Sequence, residues 1–384
     1  MDPKRFDPNL KTGSIVPISQ PEPDFAFVPD QLPPNFQMNE NIWRLLIEAK
    51  AELFRLDGCA RALQNPQLLL SPLRRQESLT SSALEGTFAT PEELLLFELE
   101  PRDAQDSRDP ANAWNEVHNY NKALAQGYFR LNELPFCTRL IKELHGTLMA
   151  GVRGGNKNPG EFRRHQVHIE STKRYIPPPV PEMEECISDF DKYVNNPPDS
   201  LDPLIRCFVA HYQLEAIHPF SDGNGRIGRV LLSLMIYAWC ELKMPWLYMS
   251  PYFERYKDEY YKYLFKVSTH GAWDEWIEYC LNGVVKQASF AVRKCEKLRE
   301  LRDEMLRKVT AGRARAHAII DLLFESPMVR IIDIKVTHSI AYETAKKELE
   351  YLEKLGILRK FQQAKPVTYW APEIFNIANA DDYA

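Results

Sequence analysis

Helical periodicity is the feature of this sequence that most constrains its fold. From Asn39 onward, apolar residues recur at intervals of three and four along most of the chain, the spacing of helices that bury one face. The first such segment ends near Gly58 and carries Ile42, Leu45, Leu46, Ala49, Leu53 and Leu56. At roughly 150 residues per domain, the 384 residues correspond to two or three units. The sequence therefore predicts a mainly α protein of two or three parts.

Proline sets the first 37 residues apart from the helical remainder. Eight prolines lie between Pro3 and Pro34. Because proline fixes φ and lacks a backbone donor, we expect an extended arm laid over a domain, or a loose tail. After this arm the sequence divides into N-terminal helices over 38–110, a core over 111–290, a charged helical linker over 291–311 and a small domain over 312–384.

Local signals predict individual elements within these parts. A second helix runs from Pro72, which suits a first turn, to Leu84, with Gly86 as its stop, and Thr90 caps a third. The segment 166–176 predicts a β-hairpin around a polar tip. Further helices are expected over 112–126, over 136–150, from Glu182 onward and over 273–308. The charged end of the last one is interpreted as a solvated face that links two units.

Charge and cysteine content limit the partners and the compartment. With 48 basic and 53 acidic residues, the net charge of −5 gives no global attraction to nucleic acid or anionic lipid. The most apolar stretch, Val230–Cys240, is too short to span a bilayer, and the first residues lack the apolar segment of a secretory signal. The seven cysteines are widely spaced, which is typical of reduced thiols. We therefore expect a cytoplasmic protein without a membrane partner.

The most informative segment runs from His218 to Arg229 and reads HPFSDGNGRIGR. Helical spacing precedes it and should end near Ile217, because Pro219 disfavours helix in the residue before it. Helical spacing resumes at Ile227. The segment therefore predicts a helix–loop–helix turn whose loop delivers glycines to the start of the second helix.

The residue types in this loop suit the handling of phosphate. A helix N-terminus has unpaired N–H groups and a partial positive charge, and glycines let an anion approach the backbone. Arg226 and Arg229 supply forked donors, Asp222 is an oxygen ligand of the kind that Mg²⁺ uses, and His218 is a candidate general base. Taken singly, these could be a helix cap, solvated arginines and a structural histidine. Taken together they predict a phosphate-transfer site.

A dinucleotide fingerprint is also present in these residues but lacks its context. Gly223, Gly225 and Gly228 satisfy G-x-G-x-x-G, which must follow a strand. The segment before Gly223 is helical, so a Rossmann site is disfavoured.

The segment resembles the Fic family of protein adenylyltransferases, because it matches the family motif HPF-x-D/E-GNGR-x-x-R at every fixed position. Glu116-Val117-x-Asn119-Tyr120, Pro159-Gly160-x-x-Arg163 and the 166–176 hairpin also resemble family features, so that the resemblance covers roughly residues 70–290. It implies a Fic-type helical core with a small hairpin flap. It also implies transfer of AMP from ATP, with Mg²⁺, to a hydroxyl of a target protein, including the enzyme itself.

The resemblance also assigns roles to residues of this chain. His218 deprotonates the target hydroxyl, Asp222 holds Mg²⁺, and Arg226 and Arg229 bind the phosphate chain. The remaining assignments are phosphate or nucleotide contacts at Gly223, Asn224, Gly225, Ile227 and Gly228, an adenine pocket at Tyr252 and Arg255, and a target-binding flap at Val167, His168, Ile169 and Tyr175.

An inhibitory element is predicted upstream of the core. Glu85 falls at the end of a helix, where the dipole disfavours a carboxylate, so it points into water or has a cationic partner. Ser81 to Gly86 resembles the family's inhibitory motif S/T-x-x-x-E-G/N. By that resemblance Glu85 pairs with Arg229 and restrains the enzyme. In some family members the same glutamate supports removal of AMP, so a reverse activity stays open.

The last 70 residues are similar to a winged helix-turn-helix. A helix over 314–325 precedes a second from Tyr342 to Leu355, and Ile357-Leu358 and Val367–Trp370 predict two strands. Ten basic and ten acidic residues over 312–384 give no electrostatic footprint for DNA, so a protein-binding role is favoured over a DNA-binding one. The alternatives are a nucleotide-sensing DNA-binding regulator and another nucleotidyl or phosphoryl transferase. Homodimers are common among relatives, although no residue of this chain indicates one.

Overall fold

The computed structural model describes residues 1–9, 12–19, 21–35, 37–63, 65–152, 158–169, 175–196, 201–362 and 364–380. Over these residues it contains fifteen α-helices and five short strands, which confirms the mainly α prediction. Within the same residues, none of the helices combines the length and the apolar character needed to cross a bilayer.

The proline-rich arm forms a β-hairpin that packs on the helices. Strands β1 (Gly13–Ile18) and β2 (Asp24–Pro29) are antiparallel, and the buried Phe27 ring lies 5.9 Å from that of Tyr175. The Phe27 N–H donates to the carbonyl of Ile176 at 2.9 Å, and Asp7 N–H donates to Thr269 O at 2.8 Å. Of the two interpretations left open, the arm laid over a domain is confirmed.

Three helices follow the arm: α1 (Glu40–Arg61), α2 (Gln67–Leu84) and α3 (Pro91–Leu99). The predicted end of α1 was three residues early, because the helix continues through Gly58 to Arg61. The predicted start of α2 was wrong: Pro72 lies inside the helix. Burial of Leu68, Leu69 and Leu70 offsets the hydrogen bond that proline cannot make. Thr90 caps α3 as predicted, in a reciprocal pairing with Glu93.

The central helices surround a pair that is mostly buried. They are α4 (Ala111–Arg130), α5 (Thr138–Leu148), α6 (Val180–Asn195), α7 (Pro203–Ile217), α8 (Asn224–Trp239), α9 (Ser250–Arg255), α10 (Lys257–His270) and α11 (Trp273–Lys308). Helix α6 begins at Val180, two residues before the expected position. Helices α7 and α8 form the predicted helix–loop–helix turn, with residues 218–223 between them, and 12 of the 15 residues of α7 and 12 of the 16 of α8 are buried.

The predicted hairpin is present as a single antiparallel bridge, in which Ile169 N–H donates to Tyr175 O at 3.1 Å. Its predicted tip, 170–174, lies outside the described residues.

The charged end of α11 is more than a solvated connection. Cys295, Leu298 and Met305 are buried along one face. The ammonium of Lys294 donates to Gln76 Oε1 of α2 at 2.9 Å and to Ala378 O at 3.0 Å. The solvated-face interpretation therefore holds only for its outer side, and the inner side packs the C-terminal residues against α2.

The C-terminal part contains α12 (Ala314–Glu325), β3 (Met328–Arg330), α13 (Ile331–Thr337), α14 (Tyr342–Lys354), β4 (Arg359–Phe361), β5 (Thr368–Trp370) and α15 (Pro372–Ala378). The sheet order is β3-β5-β4 and both pairings are antiparallel. The strand predicted at Ile357-Leu358 was wrong, because strand β4 begins only at Arg359. Ile357 and Leu358 are buried just before it. The winged helix-turn-helix interpretation stays a prediction.

Candidate active site

The loop between α7 and α8 opens on a cleft of about 790 Å³. His218, Gly225 and Arg229 line it from the predicted motif, and Glu85 lines it from the end of α2. Helix α10 forms the opposite wall with Lys257, Tyr260 and Tyr261, which sequence reasoning missed. Lys257 and Tyr261 lie four residues apart on one face of the helix. No local sequence signal indicates that this face lines the cleft.

Asn224 braces the loop through its side chain. Its Oδ1 accepts from Phe220 N–H at 2.8 Å, and its Nδ2 donates to Phe220 O at 2.9 Å. Gly223 adopts φ +74°, and a Cβ there would lie 2.8 Å from Met149 Sδ, so glycine is required on two grounds. Asn224 and Gly223 therefore shape the loop at the start of α8.

His218 ends α7 in a left-handed conformation, with φ 50°. Its Nδ1 lies 3.3 Å from the carbonyl of Glu215, and since a carbonyl only accepts, Nδ1 carries the proton in the neutral ring. Burial lowers the pKa of His218 to about 4. At neutral pH the ring is therefore uncharged, with the lone pair on Nε2 available to take a proton.

His145 of α5 supports the same loop and was not predicted. Its Nδ1 accepts from Gly160 N–H at 2.9 Å, its Nε2 lies 2.9 Å from Asp222 O, and its ring stacks on Phe220 with centroids 3.7 Å apart. Burial lowers its pKa to about 4, which keeps the ring neutral with both nitrogens paired. A lone histidine on a helix gives no sequence signal for this role.

Arg226 is buried and is held by acidic partners. Its Nη1 lies 3.1 Å from Glu116 Oε2, and its Nη2 lies 3.7 Å from Asp222 Oδ1. Thr87, just beyond the predicted inhibitory segment, donates its hydroxyl to the same Glu116 oxygen at 2.7 Å. The segment that follows α2 is thus linked to Arg226 through Glu116.

Arg229 is 2% exposed and is bound by the predicted inhibitory segment. Its Nη2 lies 2.7 Å from Glu85 Oε1 and 3.0 Å from Ser81 O, and its Nε donates to Ser81 Oγ at 2.8 Å. Burial alone would raise the pKa of Glu85, but Arg229 outweighs it and holds the pKa below its usual value. A Cβ on Gly225 would lie 2.3 Å from Glu85 Oε1, so this glycine makes room for the pair.

Glu215 is a second carboxyl in the cleft that sequence reasoning missed. Its Oε1 is buried and has no hydrogen-bond partner among the described residues. A Cβ on Gly228 would lie 2.3 Å from this atom, so Gly228 accommodates Glu215. Burial raises the pKa of Glu215 to about 7.

Asp222 fits the metal ligand that the resemblance implies. Its side chain is 34% exposed beside the α8 N-terminus, and Oδ1 accepts from Gly223 N–H at 2.7 Å. Over the part of the chain that the structure describes, no group of three or more His, Cys, Asp or Glu forms a metal cage. One carboxylate fits Mg²⁺, which usually takes its other ligands from water and substrate phosphates.

Three predicted nucleotide contacts lie elsewhere. Tyr252 is buried against Tyr256 and Tyr279, each with ring centroids 4.9 Å away, and therefore belongs to the core. Arg255 is exposed on α9 and does not line the cleft. The Ile227 side chain is fully buried in the core.

The predicted flap residues divide into two pairs. Ile169 and Tyr175 line the cleft, and the Tyr175 hydroxyl donates to Ala216 O at 3.0 Å, which anchors this end of the flap to α7. Val167 and His168 are half-buried on the same segment, outside the lining of the cleft.

The fold and site define a helical protein with a histidine and two arginines around a helix N-terminus, closed by a carboxylate from a neighbouring helix. Residues 43–129 match the Fic/DOC family N-terminal region, and residues 135–236 match the Fic/DOC family itself. The chain belongs to the Fic/DOC family.

Relatives with similar sequences are named protein adenylyltransferase Fic. The protein from Drosophila mojavensis is 31% identical over 216 residues, which cover 53% of this chain and 40% of that protein. The one from Drosophila melanogaster is 32% identical over 145 residues, which cover 36% and 27%. The chain thus spans less than half the length of these relatives.

Two solved structures share the fold at low sequence identity. A Fic family protein from Desulfovibrio desulfuricans has a TM-score of 0.59 at 19% identity, covering 88% of this chain and 98% of that one. Fic-1 from C. elegans has a TM-score of 0.52 at 19% identity, covering 68% and 74%.

Proposed function

We propose that this chain is a protein adenylyltransferase that transfers AMP from ATP to a hydroxyl of a target protein and of itself. The observation that carries the proposal is that His218, the α8 N-terminus and Arg229 meet in one cleft. The Fic domain and the names of the relatives support this reaction.

The geometry supplies a role for each group. His218 Nε2 takes the proton of the target hydroxyl as that oxygen bonds to the α-phosphorus, and the bond to the bridging β-phosphate oxygen breaks to release pyrophosphate. Gly223, Gly225 and the N–H groups of α8 receive phosphate oxygens, and Arg226 adds charge. Asp222 would hold Mg²⁺, which neutralises charge on the phosphates.

The same site supports autoinhibition. The charge that Arg229 would offer to a phosphate is already paired with Glu85 at 2.7 Å, and Ser81 accepts hydrogen bonds from its Nε and Nη2. ATP that enters the cleft therefore lacks this anchor, and its α-phosphate is not aligned with His218. We include this restraint in the proposal.

Labelled ATP tests the reaction directly. Purified wild type, His218→Ala and His338→Ala, a control histidine of the C-terminal part, are incubated with Mg²⁺ and ATP labelled at the α- or the γ-phosphate. We expect protein-bound label from α-ATP only, lost in His218→Ala and kept in His338→Ala. Label from γ-ATP alone would identify a kinase and contradict the proposal.

The C-terminal residues support recruitment of a protein target. Ile332, Val336 and Tyr342 are 40%, 69% and 47% exposed on α13 and at the start of α14. Apolar side chains at this turn suit a protein partner better than phosphates. A gel shift with duplex DNA that persists at about 150 mM salt would contradict this role.

A further inference from the structure

Arg163 is a buried cation that the proposed function leaves unused. It ends the Pro159-Gly160-x-x-Arg163 segment and is 2% exposed. Among the described residues no carboxylate forms an ion pair with it. Burial lowers its pKa to about 10, so it stays charged at neutral pH. A charge removed from water without a counterion needs a specific set of partners.

Those partners are backbone carbonyls from three segments. Arg163 Nε donates to His218 O at 2.9 Å, Nη1 to His165 O at 3.2 Å and Nη2 to Pro178 O at 2.5 Å. Its own backbone N–H donates to Pro219 O at 2.9 Å. One planar guanidinium thus binds the base-bearing residue and the chain on both sides of the flap.

This arrangement fixes two parts of the site relative to each other. His165 and Pro178 flank the segment 166–176, and His218 is the proposed base. We propose that Arg163 is a positioning residue, which sets His165 and Pro178, at the two flanks of the flap, at a fixed distance from His218 and so aligns the target hydroxyl with Nε2. The inference rests on the proposed function for its consequence, but its structural part stands on these contacts alone.

Arginine is the residue type that this position requires. Its donors are held in a rigid fork, so one side chain reaches three carbonyls that point from different segments. Lysine has a single ammonium on a flexible stem and cannot span them. His218 adopts φ 50°, a conformation that costs energy in a non-glycine residue and persists only where its surroundings hold it.

The charge of Arg163 also acts on the base. After burial, which is the main cause, the nearby guanidinium contributes to the low pKa of His218. Removing the charge is therefore expected to raise the pKa of His218. A loss of burial at His218 would raise it as well, so Arg163→Lys, which keeps the charge, is measured beside Arg163→Met. This gives a readout that does not depend on transferase activity.

The test compares Arg163→Met and Arg163→Lys with Arg164→Met, an exposed arginine next in sequence. The pKa of His218 is measured by NMR of histidine-labelled protein, with His218→Ala for assignment. We expect Arg163→Met to raise it by about one unit and Arg164→Met to leave it unchanged. Equal pKa values in wild type and Arg163→Met would overturn the inference.

Kinetics complete the test and separate it from the proposed function. Because a small misplacement of reacting groups costs on the order of a hundredfold, kcat for AMP transfer should fall by about that factor in Arg163→Lys, with little change in KM for ATP. Arg163→Lys keeps the charge, so it also decides the matter if Arg163→Met does not fold: a wild-type kcat would overturn positioning. An inactive wild type with the expected pKa shift would contradict the proposed function alone.

Discussion

Glu85 Oε1 lies 2.7 Å from Nη2 of Arg229, across the cleft that also holds His218. The pair joins the C-cap residue of α2 to the last residue of the motif, 144 positions later in the chain. Removing the partner of the buried Arg229 leaves its charge uncompensated, so Arg229 keeps a carboxylate or a phosphate near it. Inhibition and phosphate binding therefore compete for one guanidinium.

Lys257 is predicted to strengthen this restraint from α10. Its ammonium donates at 2.8 Å to the carbonyl of Leu84, the last residue of α2, where a cation is favourable by about 0.3–1 kcal/mol. Lys257→Met should speed hydrogen exchange in the last turn of α2 and raise self-modification by about threefold. In a Glu85→Gly background, Lys257→Met should raise the rate of self-modification little further.

Lys262→Met is the matched control for this prediction, because Lys262 lies on the same helix and lines the cleft. Equal exchange at the end of α2 in wild type and Lys257→Met would show that α10 does not hold the helix.

Stability should depend on pH through His145. Its folded pKa of about 4 is below the ordinary value of 6.5, so between these values the unfolded chain binds a proton that the folded chain does not. The free energy of unfolding should therefore fall as pH decreases from 6.5 to 4, by roughly 3 kcal/mol from this residue at most. Urea unfolding at pH 7 and pH 5 measures the change. His145→Gln should show a flatter dependence, and an identical slope would contradict the assignment.

Gly223 is predicted to tolerate no side chain. Alanine there combines φ +74° with a Cβ 2.8 Å from Met149 Sδ, whereas Gly151 has φ +66° and open space around it. Gly151→Ala should cost about 1 kcal/mol from the backbone alone, and Gly223→Ala should cost more. Thermal unfolding of the two variants measures which one loses more stability. A larger loss in Gly151→Ala than in Gly223→Ala would show that the contact with Met149 relaxes freely.

Features encoded in short segments could be predicted from the sequence. The turn between α7 and α8 follows from Pro219 and the two glycines, and Glu85 was predicted to meet Arg229 because the inhibitory motif resembles that of the family. Helix α2 was predicted too short, since tertiary burial of Leu68–Leu70 overrides the local signal of Pro72.

Roles that depend on distant contacts could not be predicted. His145 is an ordinary polar residue in its own neighbourhood, and its Asp222 contact lies 77 positions away in the sequence. Arg163 lies in a segment that resembles a family feature, but its contact with His218, 55 positions later, has no local signal. The environment of Tyr252 also depends on distant contacts, because its ring is buried against Tyr279 of α11. The environment of each of these residues is set by contacts between segments that are far apart in the sequence.

The most direct test is the rate of AMP incorporation from α-labelled ATP in wild type and Glu85→Gly, with Glu92→Gly as a control in the half-buried first turn of α3. We predict at least about a tenfold rise in Glu85→Gly, which corresponds to about 1.4 kcal/mol, and no rise in the control. We also predict that adding Arg229→Met to Glu85→Gly abolishes the gain. Equal rates in wild type and Glu85→Gly would contradict the claim that Glu85 restrains the enzyme through Arg229.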